Sequence, residues 1–127
     1  MKKLFVTLLF FFVNLSLFCQ LKAYAVNLTV GIRNNQYDEF YWGETKAIEE
    51  IIPIYIDNKD ITILTEKVQY YQTLMPEYET KDGKGFYWFA FDSEMKKCKF
   101  YMYNDGADII MIEYDDVCII YGILYVD

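Results

Sequence analysis

KDGKGFYWFAFDSEMKKCKFYMYNDGADIIMIEYDDVCIIYGILYV, residues 81–126, decides the fold. Apolar runs at 86–91, 97–103, 109–114 and 117–126 are separated by Asp92-Ser93-Glu94, by Asn104-Asp105-Gly106 and by Asp115-Asp116. Lys81-Asp82-Gly83-Lys84-Gly85 precedes the first run. Glycine and asparagine tolerate positive φ, so these breaks predict hairpin turns between consecutive antiparallel strands.

Outward from this block the pattern repeats. Residues 68–74 form a run closed by Met75-Pro76, and Glu66-Lys67 marks a bend before it. Asp57-Asn58-Lys59-Asp60 separates 61–64 from 51–56, a β-branched run whose Pro53 points to an edge or a bulge. Residues 44–50 are compatible with one short helical turn. Leu28, Val30 and Ile32 alternate with Asn27, Thr29 and Gly31 up to Asn34-Asn35, a strand with one buried face. The expected fold is all-β: a small antiparallel meander closed or nearly closed into a barrel or roll. The run 117–126 is apolar on both faces, so something beyond a one-sided sheet must cover it.

The amino terminus reads differently. Lys2 and Lys3 precede an apolar run over 4–18, and Ala23-Tyr24-Ala25 supplies small residues at the −3 and −1 positions of a cleavage site. This predicts a signal peptide over 1–25 and a single domain over 26–127. Asn14 and Ser16 interrupt the run, which falls short of the roughly 20 residues of a membrane-spanning helix, so no transmembrane anchor is expected in the mature form. Lipidation at Cys19 is disfavoured by Phe18, because the residue before such a cysteine is normally small.

Without Lys2, Lys3 and Lys22, nine basic residues face 19 acidic ones, a net charge of −10. That balance repels phosphate backbones and excludes nucleic acid as an expected partner, although its ordinary consequence is solubility. The chain has no histidine, which removes the commonest general base, the usual zinc ligand and every nucleophile paired with histidine.

Ile54-Tyr55-Ile56-Asp57, Ile61-Thr62-Ile63, Val68-Gln69-Tyr70-Tyr71, Phe91-Asp92 with Cys98, and Glu113-Tyr114-Asp115-Asp116 with Tyr121 together resemble a family of small exported bacterial β-domain proteins of unknown function. The resemblance covers about residues 40–126 through hydrophobic and turn patterns. It implies export and a compact β domain, and no reaction. Lys99-Phe100-Tyr101-Met102-Tyr103 stands where the family resembled carries a longer polar strand, so a surface shared by that family is altered here.

Three constellations offer chemistry. Paired carboxylates at Glu49-Glu50, Glu77 with Glu79, and Asp115-Asp116 would suit hydrolysis only across a substrate. Strand neighbours point to opposite faces, and solvated carboxylates are the simpler reading. Asn104, Asp105 and Asp108 gather oxygens around Gly106, but a hairpin turn uses the same residues and the spacing departs from the calcium loop. Asn27-Leu28-Thr29 fits a glycosylation acceptor and reads as an ordinary strand start.

Aromatics stand above background: 12 Tyr, 5 Phe and 2 Trp follow residue 25. Core packing accounts for most of them, and the clusters Phe40, Tyr41, Trp42 and Tyr87, Trp88, Phe89 are the candidate ligand-binding residues. The expectation is a non-catalytic binding or interaction module, periplasmic or extracellular, with an aromatic cleft or sheet face. It would hold a small apolar or sugar-like ligand or another envelope protein, with no cofactor, no metal and no catalytic residue. A structural envelope component without a ligand, or a carboxylate-based hydrolase, are the alternatives. Cys98 and Cys118 fall on strands two apart, about 9.6 Å, beyond the roughly 7 Å a disulfide spans, so both are expected as free thiols.

Overall fold

The computed structural model describes residues 21–34, 39–104 and 106–126. The described residues form nine strands: β1 (Leu21–Asn34), β2 (Glu39–Trp42), β3 (Lys46–Asp57), β4 (Asp60–Ile63), β5 (Gln69–Glu79), β6 (Gly85–Asp92), β7 (Lys97–Asn104), β8 (Asp108–Glu113) and β9 (Val117–Tyr125). No helix occurs among the described residues. Each strand from β3 to β9 pairs antiparallel with the next, and β1 pairs with β9 along one side and with β3 along the other. Eight strands therefore close into an antiparallel barrel. The short β2 lies outside the ring, folded back on the carboxyl half of β1.

Closure follows from β1. At 14 residues it is the longest strand, and it reaches β9 from Ala23 to Ile32 while Leu21 to Ala25 reach β3. A shift between Ala25 and Asn27 reverses which side chains point inward: Ala23 and Ala25 before it, Leu28 after it. The Asn27 carboxamide Oδ1 accepts the backbone N–H of Gly122 at 3.0 Å there. The Asn27-Leu28-Thr29 pattern thus sits inside a paired strand.

Side chains facing the axis fill the barrel. Ile54, Ile63, Phe100, Ile110 and Ile112 are wholly buried, with Ile61, Tyr71, Ala90, Cys98, Tyr121 and Ile123 packed among them. Small and large residues alternate as a narrow barrel requires. The turns expected at Asp57-Asn58, Asp82-Gly83 and around Gly106 are present, with positive φ at Asn58, Gly83 and Gly106.

Local expectations change at residues 46–50 and at Pro76. Residues 46–50 are extended within β3, not helical, because the strand runs on to meet β1 at Lys46 and Ala47. Of the two alternatives for Pro53, an edge is excluded because β3 lies between β1 and β4, whereas a register shift of the bulge kind does lie beside it, between Ile52 and Ala47; the Pro53 carbonyl accepts the Leu64 N–H at 3.0 Å. Pro76 does not end its strand, since β5 resumes pairing at Tyr78 after an irregularity. The first strand begins at Leu21, so the boundary expected after Ala25 falls inside β1. Residues 1–20, the rest of the expected leader with Cys19, lie outside the described residues.

Cys98 and Cys118 are free and buried, on β7 and β9 with β8 between them. They also face opposite ways: Cys98 joins the interior cluster, whereas Cys118 pairs with Glu113 and Gly31 on the outer face.

Candidate functional site

Sequence alternation sends Tyr87 and Phe89 outward and Trp88 inward. Pairing then aligns the outward residues into rows across the wall. One row runs Leu74, Phe89, Lys99, Glu113, Cys118, Gly31, Trp42, and the next runs Tyr78, Tyr87, Tyr101, Met111, Ile120, Thr29. In the second row Tyr87 lies between Tyr78 and Tyr101, with ring centroids 5.2 and 5.0 Å away. Phe89 meets Tyr78 edge-on at 5.8 Å.

Cations line the same face. Lys97 and Lys99 alternate around Cys98, so both ammonium groups project outward, Lys97 at 5.0 Å from the Phe89 ring and Lys99 at 5.7 Å. Lys99 also stands 5.8 Å from Tyr87. The strand neighbour of Lys99 is Glu113, whose carboxylate is already engaged by Arg33 at 3.7 Å and by the Tyr101 hydroxyl at 3.0 Å. Among the described residues neither Lys97 nor Lys99 makes an ion pair. Arg33, Phe89, Lys97, Lys99, Glu113 and Asp115 border an open groove of about 440 Å³ on this face.

The hairpin of β1 and β2 extends the surface. The Arg33 guanidinium lies 4.5 Å over Phe40, and Phe40 and Trp42 are 5.7 Å apart. Trp42 packs on Gly31 so closely that any Cβ there would overlap the indole. Cys118, beside Gly31 in the row, is 1% exposed. Phe40, Trp42, Tyr87 and Phe89 thus share the outer wall. Tyr41, 60% exposed, points to the opposite face of β2, and Trp88 packs against the core, so these two candidate residues do not join them.

A second polar cluster lies at the barrel end formed by the loops after β4, β6 and β8. The Tyr114 hydroxyl donates to Asp92 Oδ2 at 2.8 Å, and the Tyr71 hydroxyl donates to Gln69 Oε1 at 2.7 Å. Gln69 Nε2 donates to the Tyr121 hydroxyl at 3.0 Å. Burial raises the pKa of Tyr71, Tyr114 and Tyr121, so all three stay protonated at neutral pH. Burial works to raise the Asp92 carboxyl as well. The Lys96 N–H, the Tyr114 hydroxyl and the Glu94 N–H outweigh it and hold Asp92 below the usual carboxylate range. The cluster ties loops together, and none of these groups is poised near neutrality as a general base would be.

Of the carboxylate pairs, Glu49, Glu50, Glu77, Glu79, Asp115 and Asp116 are exposed. Asn104 Nδ2 donates to Asp108 Oδ1 at 3.1 Å, a contact within the hairpin turn. Asp105 lies outside the described residues. Sequence reasoning passed over Arg33, Lys97 and Lys99, although Lys-Cys-Lys on a strand places both lysines on one face.

No family model, curated protein or solved structure matches the chain.

Proposed function

We propose that this protein is an exported, non-catalytic interaction module that binds another envelope protein on the outer wall formed by β6, β7, β8, β9, β1 and β2. The observation that carries this reading is the outward row of aromatic rings with Lys97 and Lys99 beside them, on a barrel whose interior is filled. A filled interior leaves a small apolar ligand no chamber, and the tyrosines of the outer wall stack on one another, presenting edges and hydroxyls in place of free faces for a sugar ring. A wide surface mixing rings, methionine and cations around an open groove is the composition of a protein-docking patch. The partner supplies carboxylates to the two lysines and apolar contact to Phe89 and Trp42.

An apolar interior with Lys99, Glu113 and Arg33 on the outer wall favours a barrel whose wall faces water and protein over one that faces lipid, where the pattern inverts. This supports a periplasmic or extracellular place for the domain without a membrane anchor.

The test is the native size of the protein extracted gently from the cell envelope. At low salt it should run as a complex with a second protein and dissociate as ionic strength rises, and the Lys97→Glu, Lys99→Glu double variant should run free at every salt concentration. A wild-type monomer at low salt, or a complex indifferent to both lysines, contradicts the proposal.

A further inference from the structure

The Ala23-Tyr24-Ala25 triplet has a role in the barrel that competes with its reading as the end of a leader. Leu21, Lys22, Ala23, Tyr24 and Ala25 pair in unbroken register with Ile56, Tyr55, Ile54, Pro53 and Ile52. Ala23, Tyr24 and Ala25 pair at the same time with Tyr125, Leu124 and Ile123 on the other side. The Val126 N–H donates to the Lys22 carbonyl at 3.0 Å. Ala23 and Ala25 are each 1% exposed and sit in the core cluster with Ile54 and Ile123, while Tyr24 points outward.

Small residues at alternate positions are what the interior of a narrow barrel needs where large side chains converge from both flanking strands. Without residues 21–25, β1 would keep two register pairs with β3, at Asn27 and Leu28. The segments 52–56 and 123–125 would then become facing unpaired edges over an opened core, with backbone polar groups and apolar side chains exposed together.

We infer that the exported protein retains residues 21–25 and that its leader is removed on the amino-terminal side of Leu21. The step is hydrolysis of one peptide bond by a leader peptidase, with water supplying the hydroxyl of the new carboxyl group and a proton to the new amine. The place of the cut rests on the export reading above; the need of the barrel for residues 21–25 does not.

Two measurements on protein made from the full chain in a bacterial host separate these points. The intact mass of the envelope fraction should include residues 21–25, and a species acylated at Cys19 also satisfies this. A mass beginning at Val26 overturns the inference. A mass corresponding to residues 1–127 leaves the retained strand standing and overturns export with cleavage. Amide exchange on the purified protein should show Lys22 to Ala25 protected to the same degree as Ile123 and Leu124. Exchange there at the rate of free chain overturns the inference whatever the mass.

Discussion

Replacing Gly31 by alanine tests the join between the barrel and the β2 hairpin. The new methyl would stand 2.7 Å from both Cε3 and Cζ3 of Trp42 and 3.1 Å from Cδ2, well inside the roughly 3.5–4.0 Å at which carbon atoms rest in contact. If the indole holds its place, overpacking costs about 1–3 kcal/mol. If it swings outward, the buried half of a ring now 48% exposed returns to water. A fully buried Trp covers about 150–250 Å², so half of it is on the order of 100 Å², or about 2.5 kcal/mol at 25 cal/mol per Å². Either cost exceeds the roughly 0.4–1 kcal/mol that replacing glycine gains by restricting the unfolded chain. The net loss of about 1–2 kcal/mol lowers Tm by roughly 5–15 °C in a domain of this size. Circular dichroism reads the melting, and emission in a Trp88→Phe background reads Trp42 alone, which should shift red and become more open to acrylamide. Unchanged melting together with unchanged emission would refute the packing of Trp42 on Gly31.

Phe100→Ala removes the largest wholly buried side chain and should cost about 3–5 kcal/mol, read as a fall in the urea midpoint at unchanged slope. Burial raises the Cys98 thiol to about 11 and the Cys118 thiol to about 12, from 9.0. The unfolded chain therefore loses these protons first, so stability is intact below about pH 9 and should fall as pH rises from 9 to 12; a flat profile over that range contradicts the burial. For the same reason both thiols should resist a disulfide reagent at pH 8 in the native protein and react in urea, and failure of Cys98 and Cys118 to react in unreduced, unfolded monomer would refute the strand order that separates them. The Lys97→Gln, Lys99→Gln variant, which removes the charges without setting a second carboxylate opposite Glu113, should lose only the ring contacts of the two ammonium groups, about 1–2 kcal/mol at exposed sites, read as a modest fall in Tm; a fall several times larger would assign the lysines to stability.

Much of the barrel is legible in the sequence because its determinants are local. Short apolar runs at 86–91 and 117–126, and the Asp-Gly and Asn-Asp-Gly turns between such runs, specify strands and hairpins whose register follows from turn length. What escapes is non-local. The closing pair of β1 with β9 joins the two ends of the chain, and no short-range signal announces it. The triplet 23–25 satisfies two rules at once, the small-residue spacing of a cleavage site and the interior spacing of a narrow barrel, and only the pairing of Ala23 and Ala25 with β3 and β9 exposes the second. The aromatic clusters are visible as composition, but which rings face outward depends on strand phase. That phase puts Tyr87 and Phe89 on the wall and Trp88 in the core. Lys97 and Lys99 are set apart by the rings beside them, a relation that chain order does not display.

The proposed docking role uses one side of the outer wall. A photoreactive phenylalanine at Tyr87 and, separately, at Tyr55 on β3 tests it, because both positions face outward and are partly exposed in separate parts of the wall. Irradiation of intact cells should give one discrete protein adduct from position 87 and none from position 55. Equal adducts from both positions, or an adduct from position 55 alone, would contradict the account.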